Sequence, residues 1–376
     1  MSSDFPQGLI MNKPLPPGTP PLGIIEGYYG KPWSFAAREE VVKRLSPAGY
    51  SFYHYAPKAD AHLRRQWRED MTVSHSQDLA VFAWQCRHHS IRFGVGLSPY
   101  GAHLNFDAET KDLLKRKLEQ IDGVDIDDLA ILFDDMRGDV PDLAERQAEI
   151  VAFCADHSRA TQIYVCPSYY SDDPVLDRHF GNRPTDYLED LGRLLDPQVK
   201  VYWTGEEVCS REINPGHLKS VSERLGRKVC LWDNYPVNDS PRMASCLHLR
   251  GFTGRPAANA EHLTGHAVNP ALQPILSCIP TLTLAQSYRQ GLDYCYTGAF
   301  ERALSEIADP FLAMRMRKDL IPFNDEGLTR LDQTARDRLR NRYAEIDHPA
   351  AREILSWLAG EYEASPEAIL EQAGTP

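Results

Sequence analysis

The chain has 376 residues, of which 42% are hydrophobic and 25% charged, with a formal net charge of −12. That balance excludes a disordered or fibrous chain and fits a globular protein with a large core. The acidic excess argues against nucleic acid or an anionic membrane as partner, since both need a basic face. No apolar run approaches the ~18 residues of a membrane-spanning helix.

Residues 1–20 are rich in proline and lack a charged stretch followed by a long apolar one, so they read as an extended lead-in and not a secretory signal. Strand-like runs then recur along the chain: LGIIEGYY (22–29), SFYHYAP (51–57), RFGVGLSP (92–99), LAILFDDM (129–136), QIYVCPSYY (162–170), VYWTGEE (201–207), KVCLWDNYP (228–236) and GHAVNPA (265–271). Between them lie stretches with apolar residues at three- and four-residue spacing, such as FAAREEVVKRL and DLAERQAEIVAFCADH, which predict helices. The segment between the seventh and eighth runs is less regular. After about residue 290 the strand signal stops, and LSEIADPFLAMRMRKDLI, LTRLDQTARDRLRNRYAEI and AAREILSWLAGEYEA each read as a helix, ahead of a frayed tail near Pro376.

Eight strands alternating with helices predict parallel βα units, and eight is the number that closes a (β/α)8 TIM barrel. The expected organisation is a lead-in over 1–20, a barrel over 21–290 and a small C-terminal helical region over 291–376. An open doubly wound sheet is the structural alternative, but no Gly-rich phosphate loop follows the first strand. Eight scattered cysteines without a C-x-x-C pair read as buried reduced thiols, which favours the cytoplasm.

In a barrel the chemistry sits at the carboxyl ends of the strands. There this sequence places Glu26 to Gly30, Lys58, Asp134-Asp135, Tyr169-Tyr170, Trp203 to Gly205, Trp232 to Asn234 and Asn269. Carboxylates, amides and aromatic rings in one place suit a sugar, with polar groups for its hydroxyls and ring faces for its C–H surfaces. Each residue also has a bland reading. Aromatic residues at strand ends pack the rim, Lys58 can be a solvated surface lysine, and Asn234 and Asp239 can cap turns. Asp134-Asp135 could bind a divalent ion, but no histidine cluster or third acid stands at ligand spacing nearby. The adjacent acids also raise a geometric objection: neighbours on a strand point to opposite faces, unless the backbone leaves strand geometry there.

The stretches GIIEGYYGKPW, YHYAPKAD, LFDDM, CPSYY, YWTGEEV, LWDNYPVND and AVNP, in this order, resemble family 84 of the glycoside hydrolases, the O-GlcNAcases, over about residues 22–290. That resemblance implies a retaining exo-β-N-acetylglucosaminidase with no metal or cofactor, acting on N-acetylglucosamine carried by serine or threonine of a protein or peptide. Its mechanism would be substrate-assisted: the sugar's own acetamido oxygen attacks the anomeric carbon and forms an oxazoline. Asp134 would then hold the acetamido N–H, and Asp135 would be general acid and then base. The resemblance further implies that Gly27, Lys58, Asn234, Asp239 and Asn269 surround the hydroxyls and acetamido group, with Asp239 on the outer hydroxyls. Tyr170, Thr204 and Trp232 would line the acetamido pocket. Tyr28, Tyr29 and Tyr169 would be rim or packing residues, and Glu26 structural, orienting Lys58. Glu206 and Glu207 are more acidic than the family pattern at that point. Two other readings stay open: a β-N-acetylhexosaminidase acting on free glycans or glycan ends, and a non-catalytic barrel that binds N-acetylglucosamine. The oligomeric state is not legible.

Overall fold

Each of the eight apolar runs becomes a parallel strand in a computed structural model that describes residues 14–362. The strands are β1 (Leu22–Ile25), β2 (Tyr50–Tyr55), β3 (Arg92–Leu97), β4 (Asp128–Leu132), β5 (Gln162–Cys166), β6 (Lys200–Trp203), β7 (Val229–Asp233) and β8 (Leu263–Val268). Each pairs with the next, and β8 closes on β1 with Gly23 opposite Ala267, giving a complete TIM barrel. The strands are buried on both faces, which is why they read as nearly continuous apolar runs.

Helices α1 (Phe35–Leu45), α2 (Val73–His88), α3 (Ala108–Asp122) and α4 (Leu143–His157) follow the first four strands. Two shorter helices, α5 (Pro174–Phe180) and α6 (Tyr187–Leu194), follow β5, and α7 (Pro215–Leu225) follows β6. The side chains of Ser34, Thr72, Asp107 and Asn214 each accept from the backbone N–H three residues on, fixing four of these helix starts at about 1 kcal/mol apiece. Among the described residues β7 is followed by two short 3-10 turns (Met243–Ser245 and Ala257–His262) instead of an α-helix, and α8 (Pro274–Gln290) follows β8.

Aromatic rings fill the barrel: Phe52 stacks near Tyr164, Tyr164 on Tyr202, and Tyr202 meets Trp232 edge-on at 5.3 Å. Gly23 is obligatory in this column, since a Cβ there would lie 2.3 Å from the Phe52 ring.

The C-terminal region holds α9 (Tyr296–Ile307), α10 (Pro310–Lys318), α11 (Gly327–Arg330), α12 (Gln333–Tyr343) and α13 (Pro349–Leu358). Two stretches expected as single helices are broken. Asp309 caps a new helix that opens on Pro310, and Asp332 caps α12; a proline lacks the N–H that would continue the preceding turn. Helix α8 lies between α1 and α9 and is buried almost all round. From α13 the buried Glu353 accepts from the Ile275 and Leu276 N–H groups at the start of α8, both at 2.9 Å. At the last described residues Glu361 lies 3.9 Å from Lys31 and Tyr362 sits under the same ammonium group. The first thirteen residues of the lead-in and the expected tail near Pro376 lie outside the described residues.

Candidate active site

The strand-like runs overshoot their strands, and the surplus residues build a cleft at the carboxyl ends of the barrel. Strand β4 stops at Leu132, and Asp134 and Asp135 occupy the turn beyond it. Asp135 has φ of 56°, the left-handed region that costs a residue with a Cβ roughly 1–2 kcal/mol. That turn removes the alternation objection, because both acids line the same cleft. With them around the cleft stand Gly27, Tyr29, Cys166, Tyr170, Thr204, Trp232, Asn234, Asp239 and Asn269.

The two acids have different neighbours. Asp134 is 5% exposed; its Oδ2 pairs with the Lys58 ammonium, while its Oδ1 is buried without a partner among the described residues. Asp135 accepts the Tyr29 hydroxyl on Oδ2 at 2.6 Å and the Tyr170 hydroxyl on Oδ1 at 2.9 Å. Burial pushes the Asp135 carboxyl up, but the charges of Lys58 and Arg64 and the two tyrosine hydroxyls outweigh it and hold Asp135 below the usual carboxylate range. Asp239 goes the other way. Burial pushes it up to about 6, against the pull of the Tyr29 N–H, which donates to its Oδ2 at 2.8 Å.

A relay of amides fixes the opposite wall. The Gly27 N–H donates to Asn269 Oδ1 at 3.1 Å, and Asn269 Nδ2 donates to Asn234 Oδ1 at 2.8 Å. Trp232 Nε1 donates to that same Asn234 oxygen at 3.0 Å, and Asn234 Nδ2 donates to the Val208 carbonyl. Both lone pairs of Asn234 Oδ1 are thereby engaged, so Asn234 can meet a ligand only as a donor. A Cβ at Gly27 would fall 1.9 Å from Trp232 Cζ2, so only glycine lets the indole lie in the cleft. The Thr204 hydroxyl lies 3.2 Å from the Glu207 carbonyl, in a turn that Ser210 closes back on Glu207. Arg255 fastens this wall: it donates twice to Asp233 at the end of β7 and to the Ser210 and Thr253 carbonyls.

Nine of the ten residues expected at the site line the cleft, and Lys58 lies beneath it, 3% exposed, reaching the cleft through Asp134. The expectation for Glu26 needs correcting. It is structural, but it binds Arg38, Tyr28 and Tyr53 instead of Lys58, because Lys58 has turned to Asp134. Tyr28 and Tyr169 are packing residues, fully buried. Tyr29 is not: its hydroxyl and its N–H both serve cleft carboxylates, and only its place in the GYYG stretch hinted at this. Arg64 and Cys166 also escaped the sequence reading, since nothing in AHLRRQW or QIYVC marks which side chain turns inward. Glu206 and Glu207 are exposed beside the cleft and do not line it. Among the described residues no group of three histidine, cysteine or acidic side chains could hold a metal, and no helix is long and apolar enough to cross a membrane. None of the eight cysteines is bonded to another; Cys209 and Cys295 are exposed.

Comparison with known proteins bears directly on this cleft. A profile of the beta-N-acetylglucosaminidase family matches residues 22–324. The Protein O-GlcNAcase of Rattus norvegicus is 29% identical over 285 residues, and that of Mus musculus 29% over 282, each alignment covering 72% of this chain. The chain spans about 30% of the length of both relatives. Among solved structures, an Asp-to-Asn mutant of the O-GlcNAc hydrolase of Thermobaculum terrenum superposes with a TM-score of 0.74 at 26% identity, covering 95% of this chain and 87% of that one.

Proposed function

The chain belongs to the beta-N-acetylglucosaminidase family, and from that premise we propose that it is a retaining exo-acting enzyme that removes N-acetylglucosamine from serine and threonine of proteins. The relatives named above as O-GlcNAcases support the substrate class. The observation that carries the mechanism is the state of Asp134. One of its oxygens pairs with Lys58, and the other is buried at the cleft with no donor among the described residues. A buried carboxylate oxygen without a partner costs about 1–3 kcal/mol or more, and an acetamido N–H would satisfy it.

Asp134 then polarises the acetamido group, whose carbonyl oxygen attacks the anomeric carbon and expels the serine or threonine oxygen. Asp135 donates a proton to that oxygen, and the product is an oxazolinium ion, the N-protonated oxazoline, whose N–H still faces Asp134. In the second step Asp135 takes a proton from water as the water opens the oxazolinium ring and restores the acetamide. Two inversions at one carbon give retention. Tyr29, Tyr170, Lys58 and Arg64 favour the carboxylate form of Asp135, which the second step needs. The first step needs the opposite, and a seated sugar supplies it by excluding water from Asp135 and competing for the tyrosine hydroxyls. Asp239, facing the outer hydroxyls, makes the enzyme exo-acting. The unbonded thiols fit a reducing compartment such as the cytoplasm.

Release of fluorophore from an umbelliferyl N-acetylglucosaminide tests for catalysis, and release of sugar from an O-glycosylated peptide tests the substrate class. Asp134→Asn and Asp135→Asn should each lower turnover about 10²–10⁴-fold, with unfolding midpoints near that of the parent. An aryl glycoside with a good leaving group should rescue the first step of Asp135→Asn, because it needs little protonation. Binding without release would mark a sugar-binding barrel. Cleavage of glycan ends with no action on glycopeptide would mark a glycan hexosaminidase.

A further inference from the structure

Tyr29 touches both carboxylates that the proposed reaction keeps apart. Its backbone N–H donates to Asp239 Oδ2 at 2.8 Å, and its side-chain hydroxyl donates to Asp135 Oδ2 at 2.6 Å. Both contacts belong to one residue: the N–H is carried by the chain as it leaves β1, and the hydroxyl lies at the far end of the same side chain. The other groups acting on Asp135 are Lys58, Arg64, Tyr170 and its neighbour Asp134; Asp239 also acts on it directly through charge, and Lys58 acts on both, but among the described residues Tyr29 is the one residue hydrogen-bonded to both carboxylates.

We propose that Tyr29 is a positioning residue that links recognition to chemistry: when a terminal sugar seats its outer hydroxyls on Asp239, Tyr29 sets the Asp135 carboxyl over the glycosidic oxygen. This rests on the reading of Asp135 as acid and base, and extends it to a coupling between exo recognition and turnover. A sugar chain extended at an outer hydroxyl would lose turnover as well as affinity, because the carboxyl would be left unset. Binding energy far from the bond being broken would act in the transition state instead of in uniform affinity.

Tyr29→Phe cuts the link at one end only, since the N–H to Asp239 remains, and the half-buried ring keeps its packing. A hydrogen bond to a charged group predicts a fall in kcat of about ten- to a hundredfold, with KM changed by less than about twofold. Losing a donor to the carboxylate also moves the basic limb of kcat/KM to higher pH, which a packing role alone would not do. The decisive measurement is a double-mutant cycle with Asp239→Asn. In the parent, Asp239→Asn should lower kcat and raise KM; in the Tyr29→Phe background the rise in KM should persist and the fall in kcat should disappear. Additive effects on kcat, or a Tyr29→Phe enzyme with unchanged kcat and pH profile, would overturn the link. Asp135→Asn assayed alongside separates the two levels. If it is crippled while Tyr29→Phe is silent, only the link fails; if it turns over normally, the acid–base reading itself fails.

Discussion

Burial pushes the Asp239 carboxyl up to about 6, so in the folded protein it holds its proton until the pH approaches neutrality. A folded-state value raised above the ordinary one means that its contribution to stability is present below the usual carboxylate range and is lost as pH rises through about 6. Function runs in the other direction. On the reading of Asp239 as the ligand of the outer hydroxyls, its ionised form accepts from them, so a non-hydrolysable analogue of a terminal N-acetylglucosamine should bind more tightly as pH rises through about 6. Asp239→Asn should flatten that rise in a titration of Kd against pH; a rise of unchanged position would assign it to another group. Asp135, one tyrosine away, is held down by the charges around it although burial pushes it up. Burial alone therefore does not set the order in which these acids titrate.

At the scale of elements, two buried carboxylates hold the barrel to what surrounds it. Asp233, at the end of β7, is carried down to about 2 because the Arg255 charge outweighs its burial, and Arg255 in turn grips the 204–211 wall of the cleft. Glu353 joins α13 to the first turn of α8, accepting from backbone N–H groups alone among the described residues, and burial pushes it up to about 8. Because that value is raised, stability from Glu353 is complete at low pH and is lost as pH rises through about 8. The thermal midpoint should therefore fall between about pH 5 and pH 8, and Glu353→Gln should show a flatter dependence over the same range. A parent and variant that lose stability in parallel would place the sensitive group elsewhere.

Across the whole molecule, what was legible in the sequence followed from burial. Parallel strands covered on both faces leave apolar runs, and all eight runs were found. Their carboxyl ends were overread, because Phe133, Tyr169 and Tyr170 are as strand-like in composition as the residues before them, although the backbone has already left the ladder. The cleft residues were legible through motifs at strand ends, but their pairings were not. Lys58 and Asp134 stand 76 positions apart, and no local pattern says that a lysine prefers that acid to Glu26. The breaks before α10 and α12 were written in Asp309-Pro310 and Asp332, and were obscured by apolar spacing that continues across them. The C-terminal helices also bring the chain back to the barrel mouth: Glu361 and Tyr362 meet Lys31, two residues from Tyr29. Glu361 thus stands exposed at the rim across which, on the function proposed, a glycopeptide would approach. Enzyme immobilised on a solid support through a cysteine placed at Glu361 should keep its rate on a small aryl glycoside and lose rate on a glycopeptide, whereas attachment through an exposed residue of α2 such as Val81 should spare both.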